Sequence, residues 1–107
     1  MADDCIFCKI VNRFVPSEIV NESDNLIVIK DIHPKASVHL LLVPKKHVRD
    51  ITGLDEATWL EIKKMVLLLA KEKGLKNFRI VHNAGEAALI SHMHMHFLAE
   101  ISVDREL

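Results

Sequence analysis

The stretch His92-Met93-His94-Met95-His96 constrains the fold more than any other part of the chain. In an extended backbone successive side chains point to opposite faces, so this pattern puts three imidazoles on one surface and two thioethers on the other. A strand over His92 to Leu98 is the expectation, with Met93 and Met95 turned toward a core. A half-buried strand with a wet histidine face is the plain interpretation. A catalytic strand is the sharper one, because three titratable rings in register are uncommon where a lone core histidine is not.

A chain of 107 residues suits one domain, taken as 1–107. Half of it is hydrophobic and its formal net charge is −1, which argues against disorder and against nucleic acid or a membrane as a general partner. Met1-Ala2-Asp3-Asp4 is acidic and no long apolar run follows, so neither a signal peptide nor a membrane span is expected and a cytosolic setting fits. Cys5 and Cys8, spaced C-x-x-C, are too few for a disulfide framework and read as half a metal site or a redox pair.

Along the chain, Cys5 to Asn12 forms one short helix that Pro16 would end by Val15. Ile19 to Asn21 and Leu26 to Lys30 are β-rich and flank the polar cluster Glu22 to Asn25, which makes them a hairpin. Val38 to Val43 is an aliphatic run suited to a central strand, begun by His39 and stopped by Pro44. Asp55 can cap a helix running to about Lys73, with Gly74 just past its end. Trp59, Ile62, Met65, Val66, Leu69 and Ala70 make the stripe that covers the sheet, whereas Leu60 and Leu67 fall on the far side, where a partner subunit could bury them. Phe78 to His82 is the next strand, followed by a loop from Asn83 to Ala88. Strands grouped around one long helix indicate an α+β domain with a mainly antiparallel sheet.

Seven histidines in so short a chain exceed structural need. A structural zinc takes four nitrogen or sulfur ligands; Cys5 and Cys8 supply two, and two of His47, His92, His94 and His96 could complete the set. A reduced thiol pair without metal competes with that reading. The remaining rings can act as nucleophile or acid-base groups, provided a carbonyl or a second imidazole fixes the tautomer of the attacking ring. Asp31, at a strand end, suits sugar hydroxyls, with a solvated turn aspartate as the commoner alternative. His33 and His82 carry no pattern and read as surface or packing residues, and Lys45-Lys46 reads as a solvated turn or a phosphate attractor.

Taken together, Cys5-Ile6-Phe7-Cys8-Lys9-Ile10, Val15-Pro16-Ser17, Lys30-Asp31-Ile32-His33-Pro34, His39 through His47, Asn83-Ala84-Gly85 and the histidine stretch resemble the histidine triad (HIT) superfamily. The match is nearest to its Hint-like, zinc-binding C-x-x-C branch. The resemblance implies a five-stranded antiparallel sheet with one long and one short helix, and a homodimer in which two sheets become continuous near the long helix. It implies a nucleotide phosphoramidase that splits purine nucleoside 5'-phosphoramidates, of AMP-NH2 or AMP-lysine type, through a covalent nucleotidyl-histidine. His94 matches the nucleophile, and His96 and His39 its supporting histidines. Ile6, Phe7, Val15 and Ile29 match the base pocket, Asp31 the ribose site, and Asn83 the sugar-phosphate side. Cys5, Cys8, His47 and His92 match the ligands of a structural Zn2+.

The sequence departs from the pattern just before the triad. Members carry a Gly-Gln-Ser type stretch whose polar groups bind phosphate and leaving group, whereas this chain has a shorter Glu86-Ala87-Ala88-Leu89-Ile90-Ser91. Ser91 is the one substitute in reach. By analogy with single oxyanion donors, loss of such a contact lowers the rate by about 10²-fold. The chain also stops at Leu107, without the glycine-rich, tryptophan-containing tail of Hint-like members. Two functions are therefore carried forward: a phosphoramidate hydrolase, and a nucleotide-binding or scaffold protein with vestigial catalysis.

Overall fold

The computed structural model describes residues 4–100. Met1 to Asp3 and residues 101–107, on which the expectations about a leader and a tail rest, lie outside the described residues. Helix α1 (Ile6–Val11) is followed by strands β1 (Ile19–Glu22), β2 (Leu26–Lys30) and β3 (Val38–Pro44), then by helix α2 (Glu56–Glu72), β4 (Phe78–Val81) and β5 (Met95–Ala99). Short 3-10 turns lie at Ile51–Gly53 and Gly85–Ala87. The five strands form one antiparallel sheet in the order β1-β2-β3-β5-β4. This is the α+β architecture expected from the sequence. Among the described residues no helix is long and apolar enough to cross a membrane.

Both faces of the central strands are covered, which is why β2 and β3 read as unbroken aliphatic runs. Leu26, Val28, Leu40 and Leu42 pack with Ile62, Met65, Val66 and Leu69 of α2, while Ile27, Ile29, Leu41 and Val43 pack with Phe7 and Ile10 of α1. On the last strand and its approach, Met93, Met95, Phe97 and Ala99 join the α2 side. His94 and His96 are thereby left on the α1 side, as alternation requires.

Helix α2 begins and ends on signals written in the sequence. The Asp55 carboxylate accepts from the Thr58 backbone N–H and hydroxyl. At the other end Gly74 adopts φ +63°, its N–H bonding Lys71 O and the Leu75 N–H bonding Ala70 O. Those two bonds define a Schellman ending, which favours glycine at the left-handed position.

Three expectations need correction. The last strand begins at Met95 and not at His92, because its ladders end at Leu42 with Met95 on β3 and at Val81 with His96 on β4. β3 runs through Pro44, paired with Leu26, since the missing N–H falls at the end of the ladder. Trp59 is 41% exposed, and Thr58 takes the buried place beside it with its hydroxyl already bonded to Asp55. Leu60 and Leu67 are exposed as expected, at 56% and 55%.

Candidate functional site

Strand register places the histidines before any side-chain contact is considered. His39 lies opposite Leu98, and Leu41 opposite His96, so His39 and His96 are diagonal neighbours on one face of the sheet. His39 Nε2 is 2.9 Å from His96 Nδ1. The Lys35 backbone N–H donates to His39 Nδ1, so the His39 proton sits on Nε2 and His96 Nδ1 must accept it. The His96 proton is therefore on Nε2. The His96 ring centroid lies 5.1 Å from that of His94.

His94 is 7% exposed and its Nδ1 lies 2.8 Å from the His92 carbonyl oxygen. A carbonyl can only accept, so Nδ1 carries the proton and Nε2 keeps a lone pair. This is the tautomer a nucleophilic imidazole needs, set by a backbone group two residues away. Burial, then the neighbouring His94 and His39 rings, push His96 down to about 4, so His96 is a neutral N–H donor at pH 7.

These rings line a cavity of about 730 Å³. Its apolar end is built by Ile6, Phe7, Ile10, Ile29 and Leu41, and its polar part by Asp31, His39, Asn83, His94 and His96. The Asp31 carboxylate is held by the His33 N–H at 2.8 Å, with its other oxygen 3.3 Å from His39 Nε2. Val15 packs behind this wall in the α1 core, outside the lining. Ser91 is exposed and borders a separate, smaller cavity with Cys5 and His47, so it does not replace the missing polar contacts. The cavity wall there is Ala87, Leu89 and Ile90. Lys45 is paired with Glu22 at 2.7 Å, away from the cavity.

A second cluster sits at the root of the same strand. Cys5 Sγ, Cys8 Sγ and His47 Nδ1 lie 3.2, 3.5 and 3.1 Å from His92 Nδ1, and Cys8 Sγ lies 3.2 Å from His47 Nδ1. For zinc–sulfur and zinc–nitrogen bonds of ordinary length, tetrahedral ligand atoms stand about 3.3–3.6 Å apart. The four donors fit that spacing within a small expansion. His92 Nε2 bonds the Pro44 carbonyl at 2.8 Å, which fixes its proton there and turns the Nδ1 lone pair toward the cluster. Burial, with smaller contributions from His47 and His94, holds His92 below the usual imidazole range, which also favours a neutral ligand. Burial and the neighbouring Cys5 push the Cys8 thiol up to about 11, so a cation would replace a proton there. Asp31, His39 and His96 also converge. They do not suit a cation as arranged, because His39 Nε2 is a donor.

Sequence reasoning missed two residues. Asp50 is buried and accepts from the Thr52 N–H and hydroxyl and from the Gly85 N–H. Those bonds, the Thr52 hydroxyl foremost, lower its carboxyl to about 2. An aspartate two residues before a threonine is a local turn signal, but its reach to Gly85 is long-range. His82, set aside as packing, bonds both the Ile51 N–H and the His94 carbonyl.

An open antiparallel sheet with a histidine pair over a half-apolar cavity, and a Cys/His cluster beside it, defines a small histidine-centred α+β protein. Residues 4–105 match the family model described as "Scavenger mRNA decapping enzyme C-term binding". A 14 kDa zinc-binding protein of Brassica juncea is 41% identical over 105 aligned residues, covering 89% of this chain and 91% of that protein. Adenylylsulfatase HINT1 of Arabidopsis thaliana is 41% identical over 103 residues, covering 87% and 69%. The structure of a HIT family hydrolase from Clostridium thermocellum superposes with a TM-score of 0.89 at 32% identity, over 100% and 99% of the two chains. The chain belongs to the histidine triad (HIT) superfamily of nucleotide-binding hydrolases.

Proposed function

We propose that this protein hydrolyses purine nucleoside 5'-phosphoramidates through a nucleotidyl-His94 intermediate. The observation that carries the reading is the His94 ring, whose Nδ1 proton is committed to the His92 carbonyl while its Nε2 lone pair remains available in a ring that lines the cavity. The base stacks among Ile6, Phe7 and Ile29, and Asp31 takes the ribose hydroxyls. His94 Nε2 forms a bond to phosphorus as the phosphorus–amine bond breaks, and the amine leaves with the bonding pair and takes up a proton from solvent. His96 donates from Nε2 to the phosphate as charge moves, and His39 holds that donor in its tautomer. Water then cleaves the phosphorus–His94 bond and releases the nucleotide.

Cys5, Cys8, His47 and His92 would hold zinc, which when bound cross-links α1 and the turn after β3 to the approach of the catalytic strand. The protein works as a homodimer in the cytosol, with neither nucleic acid nor membrane as a partner. A second reading, nucleotide binding with vestigial catalysis, is favoured by the apolar wall at Ala87, Leu89 and Ile90.

Incubation with a fluorogenic adenosine phosphoramidate, run beside adenylyl sulfate because of the Arabidopsis relative's name, separates the two. Turnover abolished by His94→Ala is the expected result. Turnover that survives this change would sink the mechanism, and tight AMP binding without turnover of either substrate would establish the second reading. Elemental analysis of protein purified without chelator should find one zinc per chain.

A further inference from the structure

The nucleophile's own backbone lies outside the sheet ladder. β3 pairs with β5 up to Leu42 and Met95 and β4 up to Val81 and His96, so the segment leading to Met95 is in neither ladder. Besides the bond of the His92 ring to the Pro44 carbonyl, two hydrogen bonds hold the backbone of Met93 and His94. The Met93 N–H donates to Val48 O at 2.7 Å, and the His94 carbonyl lies 3.1 Å from His82 Nδ1. The Ile51 N–H donates to His82 Nε2 at 3.1 Å, so His82 is a neutral ring with its proton on Nδ1, and that proton goes to the His94 carbonyl.

The Ile51 side of this link is itself anchored to the loop that follows His82. Asp50 accepts from Thr52 within the Ile51–Gly53 turn and from Gly85 in the loop after β4. His82 is half-buried and lies outside the cavity lining.

We propose that His82 is a positioning residue for His94. Its ring takes the place of the next rung that β4 does not supply, clamping the His94 peptide so that the imidazole keeps its aim. It does not touch the nucleotide. The proposal rests on the reading of His94 as nucleophile, and it concerns rate and not binding. A misplacement of about 1 Å can cost ~10²-fold in rate without loss of affinity.

Three variants test it. Asparagine can place an amide N–H where Nδ1 stands, glutamine can place a group only where Nε2 stands, and phenylalanine supplies neither. His82→Phe and His82→Gln should form the nucleotidyl-enzyme in single turnover about 10- to 100-fold more slowly than the parent, with AMP dissociation constants within about twofold. His82→Asn should recover most of that rate. A wild-type rate in His82→Gln, equal rates in Asn and Gln, or a parallel loss of AMP affinity overturns the proposal. Should the parent protein itself form no nucleotidyl-enzyme, the reading of His94 fails separately. The clamp is then read by NMR as a slowly exchanging Nδ1 proton on His82, and a fast-exchanging ring of mixed tautomers overturns it.

Discussion

His94 and His96 stand two residues apart on one face, yet their hydrogen-bond partners give them opposite roles. His94 donates from Nδ1 to the His92 carbonyl, whereas His96 accepts at Nδ1 from His39, so one ring offers a lone pair and the other a proton. Burial lowers His96 to about 4 from an ordinary 6.5. The groups facing it are His94 on its own strand, His39 from β3, Asp31 from the loop after β2 and His82 from the end of β4. Because the unfolded chain takes up a proton here before the folded one does, the stability that neutral His96 contributes is complete above its ordinary value and is lost as pH falls toward about 4. Thermal midpoints followed by circular dichroism should fall across that window, and less steeply in His96→Asn. Equal slopes in the two proteins would count against the assignment. Strand alternation made the shared histidine face legible from the sequence. The tautomers were not, because they depend on Lys35 N–H and on carbonyls placed only by folding, and neither were His82 and Asp50, whose partners lie 31 and 35 residues away.

Helix α2 was the most legible element, since its cap, its apolar stripe and its terminal glycine are all local signals. What the stripe could not reveal is how the helix is fixed over the sheet. Glu61, half-buried on α2, accepts from the Ser23 hydroxyl and from the Asn25 N–H and side-chain amide at the β1–β2 turn. Burial works to raise its carboxyl, and these hydrogen bonds outweigh that effect and hold it below the usual range. Charge-assisted bonds of this kind contribute about 1 kcal/mol after discounting for a solvent-screened position. Glu61→Ala should lose about that much stability in urea melts with the helical signal of the native state unchanged. The β5 boundary was less legible for a related reason: alternation continues back to His92 on both faces, but a ladder needs a neighbour, and β4 pairs no further than Val81.

At the scale of the whole molecule, the helix covers one side of the sheet without reaching its edge. Phe78 and Ile80 of edge strand β4 lie opposite Ala99 and Phe97, which belong to the α2-side core, so they share that face. They remain 38% and 45% exposed, with Phe78 stacked on Phe97. The outer side of α2 adds exposed Leu60, Leu67 and Leu68. Among the described residues β4 is the edge of the sheet, and an apolar edge strand beside an apolar helix flank is a surface that isolated soluble domains avoid. A second copy placed antiparallel along β4 would pair with its outer edge and bury both groups at once, extending the sheet across the pair. This is the physical argument for the proposed homodimer, and it makes Leu67 and Ile80 its most informative positions. Sedimentation equilibrium should give a mass of two chains for the parent protein. The double variant Leu67→Glu, Ile80→Glu should give one chain, because each charge would be desolvated at the contact in both subunits. A parent protein that stays monomeric at high concentration, or a double variant that stays dimeric, would place the interface elsewhere or remove it.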